Sequence, residues 1–278
     1  MSVKKEASGR RSIQVEVEVP GTPEQVWQAI ATGPGITSWF APAEIEEREG
    51  GKAVFQIMPG MDSVANITAW EPPHRLVAED RNWMPDAPPF LTEWTVEARA
   101  GGTCLVRVVH SMFASTDDWD NQLEGVESGW PGFFRILRLY LTHFGGQRCS
   151  PMRAIGMAGG QETEAWKTIS DALGVASAAV GQRWTARGGT PPLAGVVERL
   201  EEGKDHHDFL VRLEQPAPGV VSIGSFDCGG TVMAMVSFYL YGERAAAVAQ
   251  RDAPLWQAWI GKHFPAAPEA GTAAGGND

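Results

Sequence analysis

Cysteine is scarce in this chain, and basic residues are few. The three cysteines, Cys104, Cys149 and Cys228, lie far apart and form no Cys-x-x-Cys pair. This argues against a disulfide framework and a thiolate zinc site, and favours a reducing compartment. Lysine and arginine number 23 against 34 aspartates and glutamates, so the net charge is -11. Because nucleic acids and anionic membranes are bound through Lys and Arg, we expect neither as a partner.

Long apolar runs and familiar catalytic motifs are also absent. No stretch approaches the roughly 18 apolar residues of a membrane-spanning helix. The polar segment before residue 13 lacks the apolar core of a secretory signal, so the sequence predicts a cytoplasmic protein. The chain contains no Gly-x-Ser-x-Gly, His-Glu-x-x-His, phosphate-loop or dinucleotide motif. We therefore predict no cofactor and favour a binding protein over an enzyme.

One cluster has the residue types of a metal site: His206 and His207 lie between Asp205 and Asp208. Adjacent residues of a strand point to opposite faces of the sheet, so only one of the two histidines could join a given site. The pattern therefore predicts a surface strand, and no metal is expected.

The first half of the chain reads as strand, helix, six strands and long helix. Residues 13 to 19 alternate apolar and polar side chains, which is typical of a half-buried strand, and Thr22 with Pro23 predicts a helix start. Apolar residues at helical spacing predict a long helix from Asp117 to His143. Turn residues separate six candidate strands between the helices: 43–48, 52–58, 63–70, 74–81, 90–99 and 103–113. The pattern predicts an α+β domain in which a curved antiparallel sheet grips a long C-terminal helix.

The second half repeats this order more faintly. The predicted elements are a strand at 150–158, a helix at 163–173, strands at 193–200, 207–214, 219–226 and 229–241, and a helix at 243–263. We predict two tandem domains, 12–145 and a shortened 146–264, with disordered ends at 1–11 and 265–278. The alternative is a C-terminal extension that caps the first domain's cavity.

Four fragments resemble the SRPBCC superfamily of START and Bet v-like helix-grip proteins. They are 23–30 (PEQVWQAI), 71–77 (EPPHRLV), 108–111 (VVHS) and 129–134 (GWPGFF). Within that superfamily they are similar to the branch of chaperone ATPase activator homologues, over residues 12 to 145. The tandem arrangement resembles START-like proteins of enediyne self-resistance. The resemblance implies the helix-grip fold but no single activity, because the superfamily includes lipid carriers, polyketide cyclases and chaperone regulators.

Eleven tryptophans against three tyrosines are an unusual balance. Rigid aromatic walls suit a flat apolar ligand. Core packing is the more usual role of any single ring, so the expectation rests on the set. His110 falls on the inward face of its strand, either as a buried, hydrogen-bonded residue or as an acid or base for cyclase-type proton transfer. The predicted ligand-binding residues are Trp39, Phe55, Trp70, Trp83, Phe90, Trp94, His110, Trp119 and Trp130.

Gly101 and Gly102 lie between two predicted strands. The resemblance to self-resistance proteins implies that such a glycine could be sacrificed, giving up its Cα hydrogen to a reactive natural product. Turn geometry explains the two glycines equally well.

The interpretation that these patterns favour is a protein that binds a hydrophobic, aromatic or polyketide-like small molecule, in natural-product self-resistance or sequestration. Two alternatives stay open. One is a polyketide cyclase or aromatase, with His110 as its catalytic residue. The other is a co-chaperone that regulates a chaperone ATPase.

Overall fold

The computed structural model describes residues 3–58, 60–202, 207–228 and 230–265. The chain divides into two compact units, 1–149 and 150–278. The predicted boundary near Gly145 lies shortly before this division. Residues 266–278 of the predicted disordered tail lie outside the described residues.

In its described part, the first unit contains an eight-stranded antiparallel sheet and three helices. The strands lie in the order β1-β2-β8-β7-β6-β5-β4-β3. Their bounds are β1 (Lys4–Lys5), β2 (Arg10–Pro20), β3 (Ala43–Ile45), β4 (Lys52–Met58), β5 (Met61–Glu71), β6 (Arg75–Asp80), β7 (Phe90–Arg99) and β8 (Thr103–Phe113). The helices are α1 (Pro23–Ala31), α2 (Gly33–Thr37) and α3 (Asp120–His143).

Helix α1 begins where the sequence predicts. The Thr22 hydroxyl accepts from the Gln25 backbone N–H, and the Gln25 side chain accepts from the Thr22 backbone N–H over 2.9 Å. This reciprocal pair satisfies two amides that a helix start would otherwise leave unpaired. The helix buries Val26, Trp27 and Ile30 on one face, so its amphipathic pattern is confirmed.

The N-terminal segment is ordered from residue 3, so the prediction of disorder over 1–11 is wrong for its described part. Strand β1 pairs with the start of β2, and Val3 is buried. Lys5 and Arg11 both form ion pairs with Asp117 and Asp120, at the beginning of α3. A polar segment is therefore held by tertiary ion pairs, which hydrophobic patterning does not reveal.

The second unit has the same order of elements with a six-stranded sheet, in the part of the chain described. Its strand order is β10-β11-β12-β13-β14-β9, with each neighbouring pair antiparallel. The elements are β9 (Ser150–Ala158), α4 (Glu162–Leu173), a 3-10 turn (Val175–Ser177), β10 (Arg183–Thr185), β11 (Ala194–Glu202), β12 (His207–Gln215), β13 (Gly219–Cys228), β14 (Thr231–Leu240) and α5 (Ala245–His263).

A separate hydrophobic core stabilises the second unit. It joins both helices to the sheet through residues such as Trp166, Ile169, Phe209, Phe238 and Trp256. A segment with its own core and its own sheet is a domain, and the fold is therefore two tandem helix-grip domains, the second shortened. The short strand β10 is an element that the sequence patterns did not predict.

Candidate ligand-binding site

The aromatic interior of the first unit lies on one face of its sheet. Across β7 and β8, Thr92 pairs with His110 and Trp94 with Val108, so these side chains point to the same side. Trp130 of α3 contacts both His110 and Trp94. The alternation in the sequence therefore assigned the inward face of this hairpin correctly.

Four rings form a continuous stack in this interior. Phe90 stacks on His110 at 4.9 Å, His110 on Trp130 at 5.5 Å, and Trp130 on Phe40 at 5.6 Å, with interplanar angles of 23°, 20° and 16°. The two middle rings are buried, whereas Phe90 and Phe40 at the ends are partly exposed. The stack thus has a partly exposed residue at each end of a buried middle.

Hydrogen bonds fix the imidazole at the centre of the stack. Trp130 Nε1 can only donate, and it lies 2.7 Å from His110 Nε2, so Nε2 is the acceptor nitrogen. The proton of the neutral ring is then on Nδ1, which lies 3.0 Å from Thr92 Oγ1. Complete burial lowers the pKa of His110 to about 3. The ring is therefore neutral at pH 7, and both nitrogens are engaged.

This geometry bears on the two interpretations of His110. A general acid or base needs a nitrogen that can reach substrate. Here the only lone pair is directed at the Trp130 indole and the only N–H at the Thr92 hydroxyl. The arrangement favours the buried, hydrogen-bonded interpretation over proton transfer.

Further aromatic side chains flank both ends of the stack. At one end Trp83 packs on Phe90 at 5.1 Å and on Trp119 at 5.6 Å. At the other end Phe40 contacts Phe55 at 6.3 Å and Phe133 at 4.7 Å. The four flanking rings are partly exposed and could contact a ligand: Trp83, Trp119, Phe55 and Phe133.

The predicted tryptophans fall into two groups. Trp39, Trp94 and Trp130 are buried and in mutual ring contact, so they are core residues. The indole N–H of Trp39 is also used within the core, where it donates to the Ala29 carbonyl over 2.9 Å. Trp70 is partly exposed and packs on Trp27 of α1 at 5.1 Å.

Sequence reasoning missed Phe40, Phe133 and Thr92 as site residues. Phe40 directly follows Trp39, which was predicted as a site residue, and this was a usable signal. Thr92 lies opposite His110 in the register of the β7–β8 hairpin, so its contact could have been found by counting back from the turn. Phe133 offered no such signal, because its position depends on how α3 lies over the sheet.

The structure does not bring the two candidate sacrificial glycines to this site. Gly101 and Gly102 have φ of +84° and +78°, the left-handed region that favours glycine, and form the turn of the β7–β8 hairpin. His110 lies eight residues along β8 from Gly102, about 26 Å at the rise of a strand. Turn geometry accounts for both glycines.

The predicted surface strand around His207 is wrong for its described residues. His207 and Asp208 are buried, and His207 Nδ1 lies 2.9 Å from both carboxylate oxygens of Glu162. Asp205 and His206 lie outside the described residues. Among the residues described, no group of three or more His, Cys, Asp or Glu side chains could hold a metal ion.

No helix within the described ranges has the length and apolar character to cross a membrane.

Comparison with known protein families finds one match, which lies within the first unit. Residues 20–142 match the family described as "Activator of Hsp90 ATPase homolog 1-like protein", which confirms the resemblance seen in the sequence. No curated protein matches the chain.

Several solved structures are similar in fold. CalU16 from Micromonospora echinospora is 22% identical, with a TM-score of 0.41 over 51% of this chain and 83% of its own. DynU16, from the dynemicin biosynthetic locus, is 16% identical, with a TM-score of 0.41 over 91% of this chain and 97% of its own. BexL, a di-domain ARO/CYC of the BE-7585A biosynthetic pathway, is 13% identical, with a TM-score of 0.44 over 93% of this chain and 100% of its own.

Proposed function

We propose that the first unit, the one that matches the activator-homologue family, binds a flat hydrophobic molecule of aromatic or polyketide type at the ring stack and holds it without chemical change. Natural-product sequestration or self-resistance is the context that this activity would serve. The observation that supports the proposal is the stack itself, because its two end residues, Phe90 and Phe40, are partly exposed and rest on two buried rings.

The energetics of such a site favour a flat apolar guest. Each well-placed aromatic pair contributes about 0.5–1.5 kcal/mol beyond the burial of apolar area. Phe90 and Phe40 are held in place by their neighbours in the stack, so little side-chain freedom remains to be lost when a ligand binds. Trp83 and Phe55 extend the accessible aromatic surface on either side.

The proposal that the bound molecule is not chemically changed depends on the state of His110. The imidazole is neutral, and its two nitrogens are bonded to Trp130 and Thr92. To accept a proton from a substrate, Nε2 would have to lose its bond to Trp130, and to donate one, Nδ1 would have to lose its bond to Thr92. Either change would take place inside a packed core.

Titration with a tricyclic anthraquinone such as emodin tests the proposal, with quenching of Trp fluorescence as the readout. We expect saturable quenching that Phe90→Ala weakens at least about tenfold. Phe113→Ala is the matched control, because Phe113 is exposed and points to the opposite face of β8. No saturable quenching, or equal weakening in both variants, would contradict the proposal.

Intact-mass measurement of the protein after exposure to an enediyne separates sequestration from sacrifice. An unchanged mass with retained binding is the expected result. Chain cleavage beside Gly101 or Gly102 would instead support the sacrificial role.

The family match favours a second candidate, a co-chaperone that regulates a chaperone ATPase. Its test is the ATPase rate of the Hsp90 chaperone with and without this protein. Stimulation that persists in Phe90→Ala would support this function, and an unchanged rate would remove it.

A further inference from the structure

A second concave site of the first unit lies on the opposite face of the same sheet. Along β8, Arg107 and Val109 alternate with the inward residues, so they point away from the ring stack. The register places Arg107 beside Thr95 and Val109 beside Glu93, and all four line a pocket of about 510 Å³. This volume lies within the range of small-molecule sites, about 300–1,000 Å³.

Three cationic side chains meet at this pocket, in a chain whose net charge is -11: Lys4, Arg10 and Arg107. Arg10 Nη2 donates to Ser111 Oγ over 3.4 Å, and Arg107 Nε donates to Glu16 Oε1 over 2.5 Å. These contacts orient each guanidinium while using only part of its five N–H donors. The remaining donors suit a carboxylate or a phosphate, which arginine binds with paired hydrogen bonds.

Glu6 is the carboxylate that competes for two of these cations. It lies 3.4 Å from Lys4 and 3.6 Å from Arg10. Both distances exceed the roughly 2.7–2.9 Å of a charge-assisted hydrogen bond. An incoming anion can therefore displace these loose contacts of Lys4 and Arg10 at small cost. Arg107 keeps its tight ion pair with Glu16 and binds the anion through its remaining N–H donors.

The remaining lining is polar and suits hydroxyl groups. Ser12 is buried, Thr95 is partly exposed, and both hydroxyl-bearing residues line the pocket. Glu127 adds a carboxylate acceptor for ligand hydroxyls, and so does Glu93, one oxygen of which already accepts from Arg75 Nε over 2.6 Å. No aromatic side chain is among the described residues that line this pocket, so its ligand chemistry differs from that of the ring stack.

We propose that this outer pocket binds a hydroxylated organic anion, of sugar-acid or sugar-phosphate type. Arg10 and Arg107 hold the anionic group, while Ser12, Thr95, Glu93 and Glu127 bind the hydroxyls. The site is independent of the proposed function at the ring stack.

Calorimetric titration of the full chain at low ionic strength tests the proposal with three probes: glucuronate, glucose 6-phosphate and neutral glucose. We expect a charged probe to bind saturably with a dissociation constant below about 10 mM. In Arg107→Gln that constant should be at least about tenfold higher. Arg99→Gln is the matched control, because Arg99 lies on β7 outside the pocket and loses the same charge. The control should bind within about twofold of the unmodified chain.

The response to the three probes either supports or overturns the proposed anion site. Binding of glucuronate alone or of glucose 6-phosphate alone supports the pocket and identifies the anion as carboxylate or phosphate. Failure of both charged probes, equal binding of glucose, or an equal loss in Arg99→Gln would overturn it. Circular dichroism of each variant checks its fold, and Arg10→Gln provides a second, independent loss of charge. Emodin quenching should be unchanged in Arg107→Gln, so this site and the ring stack can fail separately.

Discussion

Trp130 donates its indole N–H to Nε2 of His110 over 2.7 Å, and this bond joins α3 to the sheet at the centre of the ring stack. Both partners are buried. A buried donor that loses its acceptor costs about 1–3 kcal/mol, so the pair stabilises the first unit whatever ligand it binds.

His110→Ala should lower the free energy of unfolding by about 3 kcal/mol. The reason is that it leaves the Trp130 N–H unpaired and removes a stacked ring. His110→Gln should cost less, because an amide oxygen can accept the same bond. Urea denaturation of the two variants measures the difference, and equal stabilities would contradict the assigned hydrogen bond.

His110→Gln also separates binding from catalysis. We expect emodin affinity to remain within about threefold of that of the unmodified chain, because the outer rings carry the contacts. If the protein were a cyclase or aromatase with His110 as acid or base, turnover of a linear polyketide would be measurable in the unmodified chain and lost in the variant.

Stability should fall as the pH is lowered below about 6.5. His110 has a folded pKa of about 3 against an ordinary value of 6.5, so between these values the unfolded chain binds the extra proton. The contribution is complete above pH 6.5 and is lost progressively as the pH falls towards 3. From pH 7 to pH 5 the expected loss is about 2 kcal/mol, at roughly 1.4 kcal/mol per pH unit.

Urea denaturation at pH 7 and pH 5 measures this loss, and His110→Gln is the control because it lacks the titrating ring. The two proteins differ only at residue 110, so every other contribution to the pH dependence cancels in the comparison. An equal pH dependence in the two proteins would show that His110 does not resist protonation.

Glu162→Ala should destabilise the second unit by about 2–3 kcal/mol, because His207 and Ser225 both hydrogen-bond to this carboxylate. Glu164→Ala is the matched control. Glu164 is the other acidic residue in the first turn of α4, and its side chain is exposed. Its removal should lower the free energy of unfolding by less than about 1 kcal/mol. Thermal unfolding followed by near-UV circular dichroism compares them, and similar losses would contradict a special role for Glu162.

Asp120→Asn should release the N-terminal strand. The Asp120 carboxylate forms ion pairs with Lys5 Nζ and with Arg11 Nη1, each over 2.7 Å. These bonds help to raise the pKa of both cations. Hydrogen exchange at β1 and at the start of β2 should become faster, while exchange at β7 stays unchanged. Unaltered protection of β1 would show that strand pairing alone holds it.

The fold could be predicted from sequence where side-chain periodicity is strong. Strands β4, β7 and β8 have the predicted bounds, because their alternation reflects one wet and one buried face. Strand β1 was missed, because two lysines carry no apolar pattern and their order depends on Asp117 and Asp120.

The candidate site was predictable only in part. Alternation placed Phe90, Trp94 and His110 on the inward face, but it could not show which rings are covered. Trp94 is buried by Trp39, which follows α2 in a turn, and by Trp130 of α3, whereas Phe90 is partly exposed. That difference depends on the packing of α2 and α3 against the sheet, which is a tertiary property.

Intermolecular nuclear Overhauser effects between bound emodin and the protein test the central claim most directly. The account predicts contacts from the ligand ring protons to Phe90 and Trp83 or to Phe40 and Phe55, with none to Phe113. Contacts confined to Phe113 or to the outer pocket around Arg107 would contradict it.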